Sequence, residues 1–202
     1  MDSYKEQWAN ILDPEILKNN LDFLSLYISL YEKLEDTIIS RIKDFYTTID
    51  FNEIKYNNEV LNLYDHKKCP KINKQCKSLI SSLIWLLNSN VITESDINLI
   101  SELKKERNKL THEMFDLLNQ GLPKDVHRRF LTMIGLFNQI EKWWIVEVEI
   151  PTSCEFDNPN EIDYDNVMSG YMIILHIIMN IAIKNSNKDF EEVCKQFNIP
   201  IR

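Results

Sequence analysis

Three side chains within six residues have the types that phosphate chemistry uses: Arg107, Asn108 and His112, in the run ERNKLTH that begins at Glu106. Histidine is the side chain whose unperturbed titration falls near neutral pH, so it can take or give a proton there. Arginine presents planar, permanently charged donors to phosphate oxygens. Asn108 lies four residues before His112, on the same helical face, placed to orient the imidazole or a scissile phosphate. RNA carries its own nucleophile, the 2′-OH, beside a phosphodiester. Cleaving it needs a proton acceptor or donor and positive charge on the developing phosphorane, and this set requires no metal or other cofactor. On an ideal helix Arg107 and His112 are about 140° apart and share no face. They meet only through arginine's reach, a local distortion, or a second subunit.

The element that must position them is the segment from Glu94 to Gly121. Leu99, Leu103, Leu110, Met114 and Leu117 recur there at spacings of three and four, with Ile100 and Leu118 widening the stripe. Arg107 points about 40° from Leu103 and about 20° from Met114, so a charge replaces the hydrophobe the pattern asks for. Such an exception costs stability unless it is paired or solvated in a cleft. Glu35 is its natural partner, because it interrupts the apolar face of Leu24, Ile28, Ile39 and Ile42 on an earlier helix. An Arg107–Glu35 bridge needs no catalysis and adds little stability. The same bridge would also hold a catalytic arginine, so the two readings are compatible.

Asp13-Pro14 reads as an N-cap followed by proline at the first helical position, opening a helix over about 14–48. It is apolar over much of its circumference, which predicts burial between neighbours or between subunits. Residues 50–73 are polar and without clear period, with a helical turn expected at Glu59 to Tyr64. A second helix is predicted over Lys74 to Asn88. Thr93-Glu94-Ser95-Asp96 caps the third, which Gly121, Leu122 and Pro123 stop. The fourth runs from Pro123 to Trp144. Residues 145–163 have strand propensity and then turn chemistry, a fifth helix covers Asp165 to Lys184, and a short helix ends the chain. The expected fold is all-α: an antiparallel bundle of four to five helices with peripheral additions, in a single domain over 1–202.

Composition bounds the partners. The chain has 202 residues, 44% hydrophobic and 27% charged, with only three glycines, which favours helices over a turn-dense β fold. Its net charge of −8, from 23 basic and 31 acidic residues, counts against non-specific coating of nucleic acid. A local basic site remains, in Lys104, Lys105, Arg107 and Lys109, interrupted only by Glu106 and Asn108. No secretory signal is visible, and the apolar run Val167 to Ile183 is broken by Ser169, Gly170, His176 and Asn180. It reads as a buried central helix rather than a membrane span. The four cysteines form no disulfide framework, so free thiols in the cytoplasm are expected.

The pattern Arg107-Asn108-x-x-x-His112, late in a helix of an α-only chain, resembles the R-x4-H form of the R-x4–6-H signature of HEPN domains. The preceding long helix with acidic residues is similar as well. The likeness covers a core of about 15–145, leaving 146–202 as a C-terminal extension. It implies a metal-independent endoribonuclease that leaves 2′,3′-cyclic phosphate and 5′-OH ends. It also implies a homodimer that juxtaposes two motifs in one cleft, in bacterial toxin–antitoxin or anti-phage systems, with an antitoxin or regulatory partner protein. Arg107 would stabilise the phosphorane, His112 would act as acid or base, and Asn108 would orient; Glu35 would support Arg107. Lys104, Lys105 and Lys109 would steer RNA. The competing reading is a non-catalytic helical module for interaction or dimerisation, with Arg107 and Glu35 structural.

Other residues carry less. His66, Cys69 and Cys76 fit no zinc spacing and have no fourth ligand. His176, inside an apolar helix, reads as a core histidine bonded to a carbonyl. His127, Arg128 and Arg129 read as a solvated helix start or a secondary RNA contact. Trp143 and Trp144 read as anchors of the core or of an interface rather than as base-stacking platforms.

Overall fold

A computed structural model describes residues 11–45, 47–50, 53–56, 74–153 and 162–183. Six α-helices carry them: α1 (Pro14–Phe45), α2 (Lys74–Asn88), α3 (Glu94–His112), α4 (Met114–Gln120), α5 (Val126–Trp143) and α6 (Gly170–Ile183). The fold is an all-α bundle with one short antiparallel pair, β1 (Thr47–Asp50) and β2 (Glu53–Tyr56), registered Thr47 to Tyr56 and Asp50 to Glu53. The aperiodic excursion thus opens as a hairpin, in keeping with the β-branched Thr47, Thr48, Ile49 and Ile54. The turn expected at Glu59 to Tyr64 and the short last helix lie outside the described residues.

Local chemistry sets the helix ends. Asp13 Oδ1 accepts from the Glu15 and Ile16 amides at 2.9 and 3.2 Å, capping α1 one residue before Pro14. At α3 the cap is reciprocal: the Thr93 amide donates to Asp96 Oδ2 at 2.8 Å, and the Asp96 amide to Thr93 Oγ1 at 3.3 Å. Helix α2 closes with the Asn90 amide on Leu87 O and the Val91 amide on Leu86 O, at 3.0 and 2.9 Å. Asn90 takes a φ of 56°, the left-handed position that this closure requires and asparagine tolerates.

Three segments depart from expectation. The third helix does not run to Gly121: it breaks at Glu113 (φ −108°, ψ 19°), and α4 follows. Thr111 Oγ1 donates to Arg107 O at 2.9 Å just before the break, a back-bond that bends helices. Among the described residues after 144 there is no strand. Trp144–Glu149 continues α5 as a π-helical stretch, closed by the Ile150 amide on Ile145 O, and Ile150–Thr152 adds a last helical turn. Burial of Trp144 and Ile150 overrides the strand preference of the β-branched run between them. The last helix starts at Gly170 rather than Asp165, after a 3₁₀ turn at Tyr164–Asn166 capped by Asp163. The Ser169 hydroxyl accepts the Met172 amide at 3.3 Å.

The chain divides into two compact units, Met1–Tyr31 with Glu102–Arg202, and Glu32–Ser101. In the first, Phe23, Tyr27, Phe130 and Phe137 centre a buried core with Leu103, Leu110 and Ile134. Phe23 and Tyr27 pack on Phe130 with ring centroids 5.3 and 6.0 Å apart. In the second, Leu34, Ile38, Ile42, Leu79, Leu83, Leu86 and Ile100 are buried. The expectation that the run Val167 to Ile183 forms a buried central helix is corrected: its described part is buried on one face only. Met172, Leu175 and Met179 are buried, whereas Tyr171, Ile173, Ile174, Ile177 and Ile178 are exposed. An apolar circumference alone does not say how many faces have neighbours.

Candidate active site

The last turns of α3 and the first half of α1 belong to the same unit, and their side chains meet. Tyr27 and Tyr31, four residues apart on one face of α1, are both buried. The Tyr27 hydroxyl donates to Glu106 Oε2 at 2.6 Å, and Arg129 of α5 brings a guanidinium nitrogen within 3.7 Å of that oxygen. Burial first, then the hydrogen bond to Glu106 and its negative charge, push the Tyr27 phenol far above its ordinary range.

Arg107 is half-buried beside Leu103 and Leu110, as its place in the stripe requires. Its guanidinium lies 5.5 Å from the centroid of the Tyr31 ring, a cation–π contact, and one terminal nitrogen donates to Asn108 Oδ1 at 2.7 Å. Arg107 and Asn108 are therefore directly joined, and the carboxamide oxygen faces the cation. His112 is exposed at the last residue of α3. The stretch between them is tied by backbone-directed bonds, Thr111 Oγ1 to Arg107 O and the Glu113 amide to Lys109 O at 2.8 Å.

Of the expected RNA contacts, Lys105 and Lys109 are exposed and Lys104 is half-buried; Lys109 lies 4.0 Å from Glu113, a weak exposed pair. Glu35 is buried in the second unit, on the continuation of α1. His127 is not simply solvated: it is half-buried with its ring 4.3 Å from that of Phe23. Arg128 is exposed, 3.7 Å from Asp125. Trp144 is buried in the core and Trp143 is half-buried beside it, their rings T-shaped at 5.2 Å. His176 is half-buried and burial lowers its pKa, but among the described residues it makes no bond to a carbonyl. No group of three or more His, Cys, Asp or Glu able to hold a metal occurs among the described residues. His66 and Cys69 lie outside them.

Sequence reasoning missed Glu106 and the two tyrosines. The signal was present: Glu106 is the acidic residue inside the basic cluster, and Tyr27 and Tyr31, four residues apart, share one face of the long first helix. The resulting arrangement holds one half-buried cation in a fixed pose and leaves an exposed imidazole five residues on. No described helix is long and apolar enough to cross a membrane. Compared with protein-family models, with curated proteins and with solved structures, the chain matches none.

Proposed function

We propose that the chain is a HEPN-type, metal-independent endoribonuclease that acts as a dimer in the bacterial cytoplasm, in toxin–antitoxin or anti-phage defence. One observation carries the reading. Arg107, seated in an apolar stripe, is oriented by Asn108 and Tyr31, while His112 of the same motif stands exposed at the helix end. In the proposed reaction the 2′-oxygen attacks the adjacent phosphorus and yields its proton to a base. The P–O5′ bond breaks, and the departing oxygen takes up a proton. The products are a 2′,3′-cyclic phosphate and a 5′-OH. His112 serves as base or acid, and Arg107 balances charge on the phosphorane. Lys105 and Lys109 draw RNA to an otherwise acidic chain, and an antitoxin or other partner protein would restrain it.

Replacing His112 with Ala should lower cleavage by about 10²–10⁴-fold without changing the fold, because the side chain is exposed. Purified protein incubated with RNA and EDTA should still cut it. Cleavage that strictly needs added divalent metal overturns the mechanism. A second reading, a non-catalytic module for protein association, is favoured by the exposed apolar face of α6. Intact RNA after prolonged incubation with the purified dimer, with or without metal, would put that reading ahead.

A further inference from the structure

Phe115, in the first turn of α4, is 86% exposed. Leu117 and Leu118 of the same helix are buried, so the core takes those two side chains and leaves the phenyl ring in water. Keeping it there forfeits nearly all the stabilisation that burying a ring contributes. Among the described residues of α3, α4 and α5 no other large hydrophobic side chain is exposed. The surroundings in the chain are polar and partly cationic. Lys105, Lys109 and His112 recur at spacings of four and three and are all exposed, which makes them one stripe about 60° wide on α3. His112 is the last residue of α3, and Phe115 follows it by three positions, across the break at Glu113. All four side chains belong to one compact unit.

We propose that Phe115 is a stacking platform for an unpaired RNA base beside the phosphate that His112 serves, an inference that rests on the nuclease reading for its ligand. A single strand asks two things of a protein surface: cations along its backbone and a flat apolar face for a base. Lys105 and Lys109, on the exposed side of α3, supply the first, and the ring supplies the second. Three residues span at most about 11 Å even when fully extended, so ring and imidazole lie within reach of neighbouring nucleotides of one strand. Glu113 and Asp116, on either side of Phe115 in the chain, are exposed as well. Their negative charge disfavours a phosphate there and leaves the neutral base as the part of the strand that can lie on the ring. Paired RNA is a poor ligand for such a platform, because its base faces are already covered within the duplex. A protein partner is the poorer match too, since interface anchors cluster with other buried apolar residues and this ring stands among charges.

The test uses the full chain carrying His112→Ala, so that RNA is bound and not cut, with a fluorescein-labelled unpaired RNA oligonucleotide at one fixed salt concentration. Phe115→Ala should weaken binding in fluorescence anisotropy by about 5–150-fold. Phe115→Trp and Phe115→Tyr should bind within a few-fold of the parent. Phe115→Leu should fail as the alanine variant does, because stacking needs a flat ring and not merely an apolar group. Circular dichroism should be unchanged throughout, since the side chain is exposed. A fully paired RNA of the same length should not respond to the substitution. With His112 present, Phe115→Ala should raise KM and leave kcat nearly as it was. Affinity indifferent to Phe115→Ala, or restored by leucine, overturns the inference. A chain that binds no RNA overturns it as well and leaves the ring to a protein partner. The two readings fail separately. RNA held through Phe115 yet never cut sinks the nuclease and keeps the platform; RNA cut with a KM indifferent to Phe115 sinks the platform and keeps the nuclease.

Discussion

Replacing Tyr27 with Phe removes one hydroxyl and nothing else from the wall beneath α3. The lost bond, 2.6 Å to Glu106 Oε2, has the short length of a hydroxyl donating to a carboxylate. Bonds to charged groups contribute about 1.5–3 kcal/mol net. Glu106 keeps 12% of its side chain exposed, so water partly replaces the donor and the lower end, about 1.5 kcal/mol, applies. Arg129, 3.7 Å away and 38% exposed, adds at most a fraction of that. Phenylalanine preserves the packing on Phe130 and Phe23, so no cavity term enters. For a chain of this size about 1.5 kcal/mol corresponds to roughly 3–6 °C in Tm. Calorimetry of Tyr27→Phe, Glu106→Leu and the double variant should show a coupling of about 1 kcal/mol or more between the two sites. Additive losses, or a Tm for Tyr27→Phe within about 1 °C of the parent, would refute the claim that Glu106 is held from α1.

The same phenol sets an alkaline limit. Its folded pKa is raised, so the neutral form is favoured by folding; that contribution is complete below the ordinary value of 10.0 and declines as pH rises beyond it. Thermal unfolding above pH 10 should therefore weaken the parent more steeply than Tyr27→Phe, and parallel slopes would contradict the assignment. Thr93→Ala should cost about 1 kcal/mol by breaking the reciprocal cap of α3, while Thr93→Ser should restore most of it. Equal stability of the Ala and Ser variants in urea titration would show that the cap contributes nothing.

What was legible in the sequence was whatever depends on near neighbours. The cap at Asp13, the bounds of α2 and the cap at Thr93 all follow from residues within four positions of one another, and all appear where expected. Arg107 was legible as a charge in a stripe because helical period is a local property. Its partners were less so: Tyr31 lies far upstream, and Glu106 meets Tyr27 across 79 positions. The π-helical end of α5 was hidden for a different reason. Ile145, Val146 and Val148 favour strand individually, yet the backbone there stays helical with Trp144 and Ile150 buried at its two ends. The open face of α6 was invisible because apolar periodicity reports which residues avoid water, not whether a neighbour is there to exclude it.

The arrangement around Arg107 bears on why the stripe holds an arginine at all. A purely structural residue at this position would be better served by leucine, since well-packed apolar replacements of buried charges are often neutral or stabilising. Here the chain instead supplies an aromatic face and a carboxamide oxygen to a half-buried guanidinium, and both contacts restrict its orientation. One terminal nitrogen of the guanidinium donates to Asn108 Oδ1, which fixes the plane of the fork. His112 has the opposite character, exposed at a helix end beside the break at Glu113. A fixed charge and an accessible proton carrier are the two requirements of phosphodiester transesterification. On an ideal helix the two lie about 140° apart, so in the nuclease reading one copy of the motif would not bring both to one phosphate. In the nuclease reading a second copy would supply the missing half of the centre, whereas the exposed isoleucines of α6 are a separate apolar surface that the motif does not use.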